Sequence, residues 1–386
     1  MEAQELLFAL LRIAVCAEPV SDAVKALCTP ELLEKVYHLA LRHDLAHLIG
    51  QAASKLQLPE SDALTKCKKA AMQAFGRYMQ QSYAYEQACA ALEGAKIPFI
   101  PLKGSVLRSY YPEAWMRTSC DIDILVKEAD LNAAVKVLTE ELSYVAGGRG
   151  DHDVGLQTPN GMYLELHYDT IQERYDVNGC RQVLAEIWDD AKPKQPGSCH
   201  FVLSDEMFYF YHIAHMAKHF GNGGCGIRTF LDVWVLNHKI SFDRQKRDDL
   251  LQAGGLLKFA RAARQLAEHW FSGAAPEDMT QAMSDYIIRA GTYGSRDNRA
   301  AVGQARMGKT KYLLLRRVFM PYDYLKAEYP VLKEHKWLTP AYQVVRWSRM
   351  IAKGGLGRTV GELKAHATMD QGSVSEASDL IKYLGL

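Results

Sequence analysis

PLKGSVLRSYYPEAWMRTSCDIDILV, residues 101–126, is the stretch whose reading decides the fold. Its last seven residues alternate acid and aliphatic side chains, the period of a β-strand with one buried face. Residues two apart on a strand share a face, so Asp121 and Asp123 point one way while Ile122 and Ile124 enter a core on the other. Two carboxylates held this close repel each other unless a cation lies between them. Hard oxygen ligands on a rigid strand suit magnesium, which keeps some waters and completes its shell with substrate phosphates. Upstream, the proline-bounded apolar run 97–102 reads as an edge strand and 104–111 as a short helix. Lys103-Gly104-Ser105 sits at that corner. Gly104 permits close backbone approach, Ser105 and the amides beside it can bind phosphate, and Lys103 with Arg117 supplies positive charge for a triphosphate.

Downstream, residues 129–142 carry an amphipathic helical stripe. Residues 153–158 and 162–168 then alternate around Pro159-Asn160-Gly161, a strong hairpin signal. On the second of these strands Glu165 shares a face with Tyr163 and His167. If it lies beside the Asp121 strand on the matching face, three carboxylates converge. Such an arrangement can hold two metal ions roughly 3.5–4 Å apart for in-line phosphoryl displacement.

Helical periodicity occupies both flanks. Residues 1–94 repeat Leu and Ala at three- and four-residue spacing, with Thr29-Pro30 as a cap and first-turn proline, and 66–93 as the longest pattern, ended by Gly94. From residue 205 onward the helical period returns, broken at 221–224, 254–255, 273–276 and 354–357. The expected fold class is α+β: a small mixed β-sheet embedded in a largely α-helical protein. The expected division is a helical region 1–95, a sheet core 96–204 and a helical region 205–386.

The chain has 386 residues, 48% apolar and 24% charged, with 46 Lys and Arg against 45 Asp and Glu. Disorder and low complexity are excluded, and near-neutrality argues against a protein that coats nucleic acid through charge alone. Residues 301–366 nonetheless carry 13 Lys or Arg against 4 Asp or Glu. None of the eight cysteines forms a Cys-x-x-Cys pair, so free thiols in a reducing cytoplasm are expected. Residues 6–17 resemble a signal-peptide core, but Glu2, Glu5 and Arg12 favour an amphipathic helix packed on the protein. No apolar window reaches the roughly 18 residues a membrane span needs, and a soluble, cytoplasmic protein without membrane partners is expected.

Residues 101–126 and the later YLELHYD resemble the family called uncharacterised nucleotidyltransferase, within the polymerase-beta-like superfamily. The resemblance rests on Lys103-Gly104, Arg117 four residues before Asp121, the DIDILV run, and Glu165-Leu166-His167. It continues through FYFYHIAHMAKHF, IRTFLDVWVL and the stretch 317–351, covering most of the chain after about residue 66. It implies a nucleotidyltransferase core moving a nucleoside monophosphate from an NTP, ATP by expectation, to a hydroxyl on a small molecule or protein, with pyrophosphate released. It also implies two Mg²⁺ ions bound by Asp121 and Asp123, with Glu165 completing the acceptor-side metal and serving as general base. His167, His215, Arg228 and Asp232 become candidate substrate-facing residues. Two alternatives stand beside this: a catalytically silent nucleotide-binding or regulatory protein, and an enzyme modifying nucleic-acid ends through the basic C-terminal stretch.

His212, His215 and His219 share a helix face and could bind zinc with Cys225, but their spacing lacks a tight ligand signature, and packing between helices and sheet is the preferred reading. The run 303–310 faintly resembles a phosphate-binding loop, but its spacing is one residue short and no strand precedes it. Asp123→Asn is expected to abolish metal-dependent nucleotide binding while leaving stability unchanged or raised, by relieving carboxylate repulsion.

Overall fold

Five strands form the sheet of the computed structural model: β1 (Phe99–Pro101), β2 (Asp121–Val126), β3 (Val145–Arg149), β4 (Asp153–Gln157) and β5 (Tyr163–His167), in spatial order β1-β2-β5-β4-β3. The structure describes residues 2–172, 176–277, 279–292, 294, 296–307, 319–352 and 371–386. β1 pairs antiparallel to β2 at one edge, β2 runs parallel to β5, and β5, β4 and β3 form an antiparallel meander. The β4–β5 turn follows its sequence signal: Gly161 has φ +77°, and the Thr158 hydroxyl accepts the Met162 amide at 2.9 Å. β3 was not expected. Its five residues, VAGGR, are all exposed, so no alternation marks them. A second, two-stranded ribbon joins β6 (Lys192–Pro193) to β7 (Phe201–Val202).

Four helices precede the sheet: α1 (Glu2–Val15), α2 (Asp22–Leu27), α3 (Pro30–Arg42) and α4 (Ala46–Leu56), followed by the 33-residue α5 (Asp62–Gly94). The Thr29 hydroxyl caps α3 through the Leu32 amide at 3.3 Å, with Pro30 in the first turn. Next come α6 (Gly104–Leu107), α7 (Leu131–Leu142), α8 (Cys180–Leu184), α9 (Ile187–Asp190), α10 (Asp205–Phe220), α11 (Ile227–Lys239), α12 (Arg244–Ala253), α13 (Leu257–Ser272), α14 (Thr280–Ala290) and α15 (Arg296–Met307). Tyr322–Glu328, Thr339–Ala352 and Gln371–Leu384 are also helical. Class α+β, a mixed sheet within a mainly helical chain, is what the structure contains.

The sheet has two unlike faces, as period two requires. Ile122, Ile124, Val154, Leu156, Leu164 and Leu166 pack in one cluster with Ala84, Ala88 and Leu92 of α5 and Leu131, Ala134 and Leu138 of α7. The acids occupy the opposite face. A second cluster joins α1 (Leu6, Leu7, Leu10, Leu11) to Ile213 of α10, Phe230 of α11 and Phe259 and Phe271 of α13. The signal-like segment is thus interior, with Phe8 stacked on Trp270 at 4.7 Å between ring centroids. No helix among the described residues is long and apolar enough to cross a membrane. All eight cysteines are free thiols. The break expected at 354–357, residues 308–310 of the rejected loop likeness, and much of the basic 301–366 stretch lie outside the described residues.

Candidate active site

Parallel pairing sets β2 and β5 in register, Asp121 opposite Tyr163, Asp123 opposite Glu165 and Leu125 opposite His167. Asp123, Glu165 and His167 therefore meet although 42 residues separate Asp123 from Glu165. One ligand atom from each lies within 4.8 Å of the others. Asp121 lines the same cavity, of about 320 Å³, but stands beside this tight group and not within it. Helices α10 and α11 close the opposite wall.

Lys103 comes from the corner after β1, held by the Leu102 amide bonding to the Asp123 carbonyl at 3.0 Å. Its φ is +44°, a conformation costly for a side-chain-bearing residue. The Nζ sits 2.6 Å from Asp123 Oδ1 and 4.0 Å from Glu165 Oε2. Gly104 follows because a Cβ there would lie 3.0 Å from Ser119 Cβ. Arg108 braces this turn, donating to the Gly104 carbonyl and the Ser119 hydroxyl, both at 3.0 Å. Lys103 and Gly104 line the cavity, whereas Ser105 lies one position further along the turn, outside the lining.

Charge balance follows from these contacts. Burial opposes ionisation of Asp123, but the Lys103 ammonium and the His167 ring outweigh it and hold the carboxyl below its usual range. Burial and the neighbouring Asp123 charge push Asp121 up to about 6. Burial and Lys103 press His167 toward its neutral form, yet its hydrogen bonds to Asp123 (2.8 Å) and Glu165 (3.3 Å) prevail and raise its pKa. A raised Asp121 beside two further carboxylates, its charge only partly offset by Lys103, is the electrostatic profile of a cation site. The oxygen-rich donor set fits a hard divalent ion such as Mg²⁺.

Arg117, expected at the triphosphate, lines the cavity, but its guanidinium is bound to the protein. Its Nε and Nη2 bond Asp232 Oδ1 and Oδ2 at 2.7 and 2.9 Å, Nη1 donates to the Thr118 carbonyl, and Tyr111 Oη donates to Asp232 Oδ1 at 2.7 Å. Asp232 is fully buried. This clamp fastens the loop before β2 to α11. Arg228 pairs with Asp44 and donates to Thr118 Oγ1 at 2.9 Å, so Arg228 and Asp232 do not pair with each other. His215 and His219 face the cavity with their Nε2 atoms 3.2 Å apart. Burial lowers His215 and takes His219 to about 4, keeping both neutral.

The sequence reading missed Tyr211, His152 and Asp153, which also line the cavity. Tyr211 precedes His215 and His219 by four and eight residues, so helical spacing would have found it. Asp153 pairs with His167 across the hairpin and follows from counting register back from Asn160-Gly161.

A mixed sheet thus presents carboxylates and a lysine to a cavity walled on its other side by helices. Residues 30–272 match the family model described as uncharacterised nucleotidyltransferase, and the chain belongs to that family. The match begins ahead of residue 66, where the motifs had placed it, and ends before the stretch 317–351. No curated protein and no solved structure matches the chain.

Proposed function

We propose that this nucleotidyltransferase moves a nucleoside monophosphate from an NTP, ATP by preference, to a hydroxyl of a small molecule or protein. The observation that carries the reading is the Asp123–Glu165 register, which delivers both acids to one cavity beside Lys103. Asp121, Asp123 and Glu165 would hold two Mg²⁺ ions, which when bound supply Lewis-acid neutralisation of phosphate charge. Lys103 and the Gly104 backbone face the triphosphate, with the Ser105 hydroxyl next along the turn. Glu165, 25% exposed, accepts the acceptor hydroxyl's proton. The hydroxyl oxygen bonds to the α-phosphorus as the bond to pyrophosphate breaks. Arg117 acts as a positioning residue through Asp232, while His215 and Arg228 line the acceptor side.

Incubation with each α-labelled NTP and Mg²⁺, with pyrophosphate release followed, tests this. Release that disappears in Glu165→Gln is expected; no release and no Mg²⁺-dependent binding of any NTP would overturn it. The Lys103–Asp123 ion pair favours a second reading, nucleotide binding without transfer, the ammonium standing where a cation would. Tight NTP binding indifferent to Mg²⁺ would identify that case.

A further inference from the structure

His167 belongs to a second cluster that the transfer reading leaves unused. One ligand atom each from His152, Asp153 and His167 lies within 4.8 Å of the others. The backbone fixes this group tightly. Asp153 on β4 is the register partner of His167 on β5, and the His152 carbonyl accepts the Tyr168 and Asp169 amides at 2.9 and 3.2 Å. His152 Nδ1 stands 3.5 Å from Asp153 Oδ1. Ligands of a tetrahedral ion with bonds of about 2.1 Å are roughly 3.4 Å apart.

The second observation lies in the His167 ring itself. Its side chain is 1% exposed, and Nε2 faces Asp123 and Glu165. Nδ1 is buried with no hydrogen-bond partner. In a neutral imidazole one nitrogen carries the proton and the other a lone pair. With Nε2–H donating to Asp123, the lone pair falls on the orphaned Nδ1. A histidine that gives one nitrogen to a carboxylate and keeps the other for a metal is the carboxylate–histidine–metal arrangement, in which the carboxylate orients the ring and raises its basicity. Burying an unmet lone pair costs free energy, and an ion would relieve it.

We propose that His152, Asp153 and His167 bind a divalent transition ion of the zinc type, at a site distinct from the oxygen-ligated Mg²⁺ position. Two imidazoles and one carboxylate select such an ion over magnesium. His152 and Asp153 line the cavity, with side chains 12% and 21% exposed, which gives the ion an entry path and water for its remaining positions. Gln172 Nε2, 3.1 Å from His152 Nδ1, is the neighbour that must turn aside.

The test is a Co²⁺ titration of the full-length protein in excess Mg²⁺, read by visible d–d absorption and by competition with Zn²⁺. One Co²⁺ per chain is expected, displaced by Zn²⁺. The bands should vanish in His152→Ala and in the milder His152→Gln, with circular dichroism unchanged, and persist in Glu165→Gln. Bands that survive both His152 variants, or that disappear in Glu165→Gln, would overturn the assignment. Because no nucleotide enters this measurement, its outcome is separate from that of the transfer assay.

Discussion

Asp232→Ala removes the buried half of the clamp between the loop before β2 and α11. Arg117 would remain as a guanidinium only 8% exposed and unable to lose its proton, with the Tyr111 hydroxyl also unpaired. Breaking one side of a buried ion pair costs about 3–5 kcal/mol, and an orphaned buried hydroxyl about 1–3 more. At about 2.1 cal/mol/K of unfolding entropy per residue, a 386-residue chain loses roughly 1.2 °C per kcal/mol, so the melting temperature should fall by about 5–10 °C. Arg117→Met/Asp232→Leu removes both charges at once, and such replacements are often neutral; it should recover most of the loss. Differential scanning fluorimetry of the two variants, with NTP binding measured in parallel, separates positioning from direct phosphate contact. A single variant that loses under about 1 kcal/mol, or a double variant no better than the single, would refute the clamp.

Three further outcomes can be checked. Asp123→Asn should lower stability in chelator by about 3 kcal/mol, because Lys103 and His167 both lean on that carboxylate; an unchanged melting temperature would restore the repulsion argument made from sequence. Gly50→Ala should cost about 1–3 kcal/mol despite its helix-favouring change, since the new Cβ would lie 2.7 Å from the Cys67 carbonyl oxygen, and a thermal melt at or above wild type would contradict that closeness. His43, fully buried, accepts the Ile227 amide on Nδ1, with Nε2 3.2 Å from the Ile288 carbonyl, and burial drops its pKa to about 4. The unfolded ring takes its proton near 6.5, so stability present above that pH is lost as pH falls toward 4, by at most roughly 3 kcal/mol. Urea midpoints at pH 7.5, 6 and 5 should decline more steeply in wild type than in His43→Gln, and parallel slopes would exclude the effect.

The sheet was legible because its signals are local. Asp-Ile-Asp-Ile alternation, an Asn-Gly turn and proline-bounded Ile97 to Leu102 each report on a few neighbouring residues. The pairing of β2 with β5 could only be stated as a condition, since strand adjacency is a long-range property. β3 escaped because VAGGR lies exposed along its whole length. Charge partners were the least readable. Arg117 looked free for phosphate because Asp232, 115 residues away, carries no mark of its partner. Asp123 looked like half of a repelling pair because the positive-φ turn that swings Lys103 onto it is invisible in the letters.

Glu165 reaches the cavity, and His167 the carboxylates behind it, only through the odd–even parity of β5, whose intervening Leu164 and Leu166 plug into the interior. The exposed turn between β4 and β5 can therefore grow or shrink without disturbing the acids on β2 and β5. A single residue inserted inside β5 would exchange the two sets, burying acid among aliphatics and turning leucines toward the cavity. Length variation among relatives should accordingly collect between the strands and stop at their borders.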